Sequence, residues 1–303
     1  LPEGADAVVM IEKTEIQGSS IRILNPVQSF DNVVRKGTEA PKGKVVLHTG
    51  RKLGSEEIGL LASVGLASVK VFRQPRIAIL TTGDELVPVD GRPKWFQIRN
   101  SNAFSLASQV TEAGGIPRMV GIAPDRLGTL KQMIQQGLDD DLLVMSGGVS
   151  AGKYDLVEQA LTELGAEFYF RSVALRPGKP LVFGQAKHKF FFGLPGNPVS
   201  SYVTFEIFAR RAIGVLAGAG FEELVFLGAR SVKPVTANKH LTTFRPARVE
   251  MTASGPSVAL VGWQGSGDLV GVSAANCFLV LHAGERDADA GDWVPVMLKD
   301  WVH

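Results

Sequence analysis

Four short stretches of the chain combine side chains that hold ions with residues that stiffen a backbone. Thr81-Thr82-Gly83-Asp84-Glu85 places two carboxylates directly after a glycine. Such a pair either binds Mg2+ or positions a water, or else it closes a capped polar turn. In Ser146-Gly147-Gly148-Val149-Ser150-Ala151-Gly152, adjacent glycines let the backbone approach a ligand. Hydroxyls and free amides ahead of a helix favour an anion there. No Gly-Lys-Ser/Thr follows, so this is not a Walker loop. Asp155, just beyond, either caps the next helix or supplies another carboxylate. Asp125 alone reads as a helix cap. At one sheet edge, however, Glu85, Asp125 and Asp155 form a set able to hold a hard cation against a pyrophosphate.

Two further stretches are cationic or rigid. Arg176-Pro177-Gly178-Lys179-Pro180 carries two positive charges on a turn of limited freedom, ready for an oxyanion or else simply solvated. Gly193-Leu194-Pro195-Gly196-Asn197-Pro198-Val199-Ser200 leads into a long helical pattern. Stiff backbone before a helix start makes an anion cradle.

These loops need a scaffold, and the hydrophobic pattern supplies one. Strands are predicted at Arg76–Leu80, Pro117–Gly121, Leu142–Met145, Phe168–Val173, Leu181–Phe183 and Phe190–Phe192. Helices are predicted at Ser101–Ala113, Arg126–Gly137, Tyr154–Leu164 and Val199–Leu216. This alternation indicates a doubly wound, mainly parallel α/β sheet, which binds ligands outside the carboxyl ends of its strands. All four stretches fall at or near such ends. Before this domain, Ala7–Ile11, Ile21–Leu24 and Val45–His48 read as short strands, and Ser55–Ser63 as a helix with Ser55 as N-cap. After it, Val225–Leu227, Arg248–Met251, Val258–Val261, Phe278–Leu281 and Val294–Leu298 suggest a helix-free β-barrel or β-sandwich. The expected division is 1–35, part of an elongated β-rich domain; 36–74, a linker and helical part; 75–222, the α/β domain; and 223–303, a β-barrel domain.

Composition narrows the function classes. The 303 residues are 45% hydrophobic and 20% charged, with a formal net charge of +2. A near-neutral chain argues against nucleic acid as partner. The apolar runs are strand-sized, which argues against a membrane span. The single cysteine, Cys277, makes no internal disulfide, so a cytoplasmic setting is expected. Five scattered histidines show no zinc-ligand spacing.

Taken in order, TTGDEL, SGGVSAGKYD, RPGKP and GLPGNPVS resemble the molybdopterin molybdenumtransferases, the family that includes MoeA and the E domain of gephyrin. LPEGADAVVMIE, SEEIGLLASVG and GSGDLVGVSAANCFLVL extend the resemblance over essentially the whole chain. It implies insertion of molybdenum from molybdate into adenylylated molybdopterin, with release of AMP and help from Mg2+. It implies that Asp84, Glu85, Asp125, Asp155 and Lys179 are catalytic, with Glu85, Asp125 and Asp155 on the metal. It places Thr82, Gly83, Ser146, Gly147, Gly148, Ser150, Arg176, Pro195, Gly196, Asn197, Pro198 and Ser200 against pterin, diphosphate or molybdate. A homodimer is implied, with the partner's first domain completing the cleft, and a molybdopterin adenylyltransferase as pathway partner. A further segment before Leu1, carrying an active-site threonine, is also implied.

The chain departs from the family pattern at Val34, Glu39, Pro246, Gly271 and Ala274. Those departures motivate a second reading, a pterin- or molybdate-binding homologue without turnover. A third, an adenylyltransferase-like enzyme, is disfavoured by the flanking domains. Arg245 and Arg248 are the candidates to replace the arginine absent at Pro246.

Overall fold

The computed structural model describes residues 1–148, 156–221 and 223–299. The chain divides into two compact units, Leu1–Lys70 and Val71–His303.

The first unit has little regular structure. A 3-10 turn at Ile11–Lys13 precedes a hairpin of β1 (Thr14–Gln17) and β2 (Ser20–Ile23), paired antiparallel. Helix α1 spans Ser55–Ser63, but its N-cap is Gly54 and not Ser55. The Glu57 carboxylate accepts from the Gly54 amide at 2.9 Å and from Arg51, so the third helical residue, rather than a serine, closes this helix start. The apolar runs at 7–11 and 45–48 are not strands. The Val8 amide bonds Asp31 and its carbonyl accepts from the Asn32 side chain, which leaves no ladder for a strand there.

In the second unit the strands and helices alternate as the sequence pattern requires. They are β3 (Arg76–Thr82), β4 (Leu86–Val87), β5 (Ile98–Arg99), α2 (Ser101–Glu112), β6 (Ile116–Ala123), α3 (Leu127–Gly137), β7 (Leu142–Ser146) and α4 (Leu156–Glu163). Then come β8 (Glu167–Phe170), β9 (Leu175–Arg176), β10 (Val182–Ala186), β11 (Lys189–Leu194), α5 (Pro198–Thr204) and α6 (Arg210–Leu216). The sheet order is β6-β3-β7-β11-β10-β8. The first four strands are mutually parallel, and β10 and β8 add an antiparallel edge. Both sheet faces are covered. Ala78, Leu80 and Met145 meet Leu130, Ile134 and Leu161 of α3 and α4 on one face. Ile77, Ile79 and Val144 meet Leu106 and Val110 of α2 and Ile213 of α6 on the other. Burial on both faces is why these strands read as unbroken apolar runs.

The predicted long helix Val199–Leu216 holds an internal π-helical segment, Phe205–Ala209, between α5 and α6. The Arg211 guanidinium donates to the carbonyls of Glu206 and Ile207 at 2.7 and 3.0 Å, serving carbonyls within the irregular turn.

The remaining strands are β12 (Leu227–Ser231), β13 (Thr242–Thr252), β14 (Gly255–Leu260), β15 (Cys277–Leu281) and β16 (Trp293–Leu298). Their pairing runs β14-β12-β16-β15-β13 and closes from β13 back to β14, so a barrel forms rather than a sandwich. Strand β12 starts at Leu227, later than predicted, because its ladder with β16 begins there. The region is also not helix-free: α7 (Leu269–Ala274) interrupts it, capped by Asp268, whose carboxylate accepts from the amides of Gly271 and Gln264.

Candidate active site

Four parallel strands end level and release their loops side by side. Thr82 pairs with Ala123, and Ser146 pairs with both Thr81 and Leu194. The loops after β3, β6, β7 and β11 therefore emerge at one edge, the position where an open α/β sheet binds ligands.

Close backbone contact among these loops demands glycine. The Gly147 amide donates to the Leu194 carbonyl at 3.2 Å. Gly147 has φ +94°, and a Cβ there would lie 2.5 Å from the Thr82 carbonyl oxygen. Gly148 has φ +65°, with the Thr82 hydroxyl 2.7 Å from its would-be Cβ. No L side chain fits either position without displacement. The Thr82 hydroxyl is buried and has no hydrogen-bond partner among the described residues. Such a group at a strand end is costly unless something bonds it.

Asn102, which no motif flagged, ties the loops together. Its Nδ2 donates to the Ser146 hydroxyl and to the Gly196 carbonyl, each at 2.8 Å. Ser146 in turn donates to the Pro195 carbonyl at 3.2 Å. Nearby, Asn100 caps α2 by accepting from the Ala103 amide and donates to the Thr81 hydroxyl at 2.8 Å. An Asn-Ser-Asn sequence before a helix is a cap signal. The second asparagine's reach across to β7 and β11 is set by strand register and is invisible locally.

The acidic loop-ends partly converge. Asp84 and Asp125 exchange hydrogen bonds between carboxylate and backbone amide, at 3.1 and 3.4 Å. Asp125 is therefore not the cap of α3, whose N-cap is Arg126 without a side-chain bond. Glu85 is exposed, and its carboxylate occupies the space a Cβ on Gly83 would need. Among the described residues no three His, Cys, Asp or Glu side chains form a ready metal site. Each of Asp84 and Asp125 keeps one carboxylate oxygen outside their mutual bonds, which fits a hydrated Mg2+ that takes few protein ligands beside substrate phosphates. Ser150 and Asp155 lie outside the described residues.

The cationic side is built from both parts of the second unit. Arg176 lies on β9, which pairs with barrel strand β13, Thr243 opposite Arg176. Lys179 is exposed, and its carbonyl accepts from the Val173 amide at 3.0 Å, closing the turn. Pro195 is buried, Gly196 and Asn197 are exposed, and Pro198 opens α5. Ser200 is buried in the first turn of α5, whose Val199 amide donates to Ser266 at 2.9 Å. The structure thus unites Thr82, Ser146, Gly147, Gly148, Pro195 and Gly196 in one contiguous cradle. Arg176, Lys179 and Ser200 make no hydrogen bond to that cradle among the described residues.

The departures are explained unevenly. Gly271 is buried, and a Cβ there would meet the Gly262 carbonyl at 2.8 Å, so a larger side chain does not fit this local packing. Pro246 is buried opposite Phe278. Ala274 and Val34 are exposed. Nothing in the structure explains Glu39.

Two other chemical clusters lie apart from this edge. At the opposite ends of β3 and β7, Asp141 accepts both Arg73 guanidinium nitrogens, at 2.6 and 2.7 Å, and the Arg76 amide at 2.8 Å. The Arg73 bonds hold its carboxyl down at about 2. This cluster pins the chain entering the sheet. Cys277 is buried in the barrel, and burial pushes its thiol up to about 11, so it is no nucleophile.

Comparison with known proteins agrees with this geometry. Residues 1–65 match the MoeA N-terminal region (domain I and II), residues 78–214 match the family described as a probable molybdopterin binding domain, and residues 229–299 match the MoeA C-terminal region (domain IV). The molybdopterin molybdenumtransferase of Staphylococcus aureus strain Mu50 is 32% identical over 301 residues, covering 99% of this chain and 72% of its own length. Its Staphylococcus epidermidis counterpart (strain ATCC 12228) is 31% identical with the same coverage. The molybdopterin biosynthesis MoeA protein of Pyrococcus horikoshii superposes with a TM-score of 0.80 at 31% identity, over 99% of this chain and 74% of its own. The chain belongs to the molybdopterin molybdenumtransferase (MoeA) family of transferases, enzymes of molybdenum cofactor biosynthesis.

Proposed function

We propose that this protein transfers molybdenum from molybdate to adenylylated molybdopterin and releases AMP. The observation that carries the reading is the cradle at the strand ends. Glycines at 147 and 148, the Thr82 hydroxyl without a partner among the described residues, and the Asn102–Ser146–Gly196 tie converge beside the Asp84–Asp125 pair. Backbone of this shape suits the diphosphate of the substrate, as glycine-rich loops suit phosphates elsewhere.

Asp84 and Asp125, joined by Asp155 and Glu85, would hold Mg2+, which neutralises charge on the diphosphate when bound. The same carboxylates orient the oxygen that attacks phosphorus as the bond to AMP breaks. Arg176, Lys179 and Ser200 hold molybdate beside the pterin. Asn102 positions Ser146 and the Gly196 loop. A homodimer, the first unit of one subunit completing the cleft of the other, and a cytoplasmic location belong to the same reading. So does supply of substrate by a molybdopterin adenylyltransferase. The reading is tested by mixing the purified protein with adenylylated molybdopterin, molybdate and Mg2+. AMP release that Asp125→Ala abolishes supports it. Absence of AMP release sinks it.

The departures from the expected pattern at Pro246 and Gly271 favour a second reading, a homologue that binds pterin or molybdate without turnover. Ligand binding without AMP release would select that reading.

A further inference from the structure

Helix α5 is held from three sides. On one, Val199 and Val203 pack against Phe244 and Phe278 of the barrel. On another, the RPGKP turn lies directly on it. A Cβ on Gly178 would come within 2.5 Å of the Thr204 methyl, and the Thr204 hydroxyl donates back to the Ser200 carbonyl at 2.8 Å. On the third side, α2 holds it at both ends. Asn102 donates to the Gly196 carbonyl just before α5, and Gln109 donates to the Tyr202 carbonyl near its end at 3.2 Å. Residues 102 and 109 are two helical turns apart, so they share one face of α2.

The second tether continues into the π-helical segment. Gln109 also donates to the Glu206 carboxylate at 2.6 Å, and that carboxylate accepts from Arg210 Nη2 at 2.9 Å. Gln109 and Glu206 are only 2% and 4% exposed. The Gln109 Oε1 atom and the Ser201 hydroxyl are also buried, with no hydrogen-bond partner among the described residues. A helix contact built for stability alone does better with apolar side chains, because buried charge and unmet polar atoms are costly. This polar set is therefore poorly explained as a stabiliser.

We propose that Gln109, acting through Glu206 and the Tyr202 carbonyl, is a positioning residue for the transfer reaction. Paired with Asn102, it fixes α5 on α2, and so fixes where Ser200 and the RPGKP turn stand relative to the strand-end cradle. An amide that must meet a carbonyl and a carboxylate at once admits one placement of α5 along α2. The π-helical segment keeps its own carbonyls served meanwhile, those of Glu206 and Ile207 by Arg211. Without Gln109, Asn102 still anchors the loop before α5, but the helix and the turn lying on it drift together. This rests on reading Ser200 and the RPGKP turn as the molybdate side of the cleft.

The test combines kinetics of AMP release at varied molybdate with hydrogen exchange at the Ser201 and Phe205 amides. Gln109→Leu keeps the bulk and removes both bonds. It should raise the KM for molybdate about tenfold, change kcat by less than about threefold, and speed exchange at those two amides. Glu206→Gln, which keeps an acceptor for Gln109, should stay within about twofold of wild type in KM. Asp141→Asn, a destabilising change at the far end of the sheet, should leave that KM unchanged, which separates positioning from general loosening. If Gln109→Leu does not fold, Gln109→Asn, one methylene short of both acceptors, should give the same rise. Wild-type KM and exchange in the Gln109 variants, or an equal rise in Asp141→Asn, would overturn the proposal. If wild type releases no AMP, the transfer reading falls and exchange alone decides the positioning. Faster exchange confined to α5 then supports it, and unchanged exchange overturns it.

Discussion

Asp84 and Asp125 face each other across the ends of neighbouring parallel strands, each carboxylate accepting the other residue's backbone amide, at 3.1 and 3.4 Å. The exchange fixes both loops while leaving one oxygen of each carboxylate for a cation or a water. It also separates two roles for one residue. Asp125→Asn keeps an acceptor for the Asp84 amide and should preserve the melting temperature, yet lower AMP release by about 100-fold or more if the charge acts in the chemistry. Asp125→Ala loses the acceptor as well and should cost a further ~1 kcal/mol of stability. Equal activity of Asp125→Asn and wild type would leave the carboxylate a purely structural part.

The glycine cradle gives a paired prediction. Gly147→Ala places a methyl 2.5 Å from a fixed carbonyl at φ +94°. It should destabilise the protein by about 2 kcal/mol, a fall of roughly 4–8 °C in melting temperature, and weaken substrate binding. Gly196→Ala meets only the Gly147 Cα at 3.5 Å, an ordinary contact. It should be tolerated within about 0.5 kcal/mol. Thermal melts of the two variants side by side check the contrast.

Asn102 is predicted to act by position. Asn102→Ala should raise KM about tenfold with a smaller change in kcat, because the Ser146 and Gly196 loops lose their common donor. Steady-state kinetics separate this from a contact made only in the transition state, which would lower kcat instead.

Much of the α/β domain was legible because its signals are local. Strands buried on both faces give continuous apolar runs, and backbones bent to positive φ select glycine, so Gly147 and Gly148 declared themselves. Asn102 did not, since its partners come from strand register: it meets Ser146 of β7 and Gly196 in the loop after β11. The apolar run at 7–11 misled for the opposite reason. Val8 and Met10 alternate as in a strand, but the Val8 backbone is bonded by Asp31 and the Asn32 side chain instead of by a ladder. The barrel was legible only as strands, because closure depends on β13 reaching back to β14. Helix α7 was hidden by a glycine and β-branched residues, and Asp268 at its cap was the available signal.

Acid should unfold the second unit in a defined window. Arg73 holds Asp141 down from an ordinary 3.8 to about 2 in the folded protein. A carboxyl depressed on folding contributes stability that is fully present above pH ~4 and is lost as pH falls towards about 2. The loss should be on the order of 2 kcal/mol. Denaturant midpoints between pH 5 and 2 should show this fall in wild type and a shallower one in Asp141→Asn. Parallel curves would remove Asp141 from the account.

The measurement closest to the central claim is the stoichiometry of a single turnover. With adenylylated molybdopterin, molybdate and Mg2+, the account predicts one AMP released for each molybdenum atom transferred to the pterin, and little AMP when molybdate is omitted. Tight pterin binding with no molybdenum transfer, or AMP release indifferent to molybdate, would contradict it.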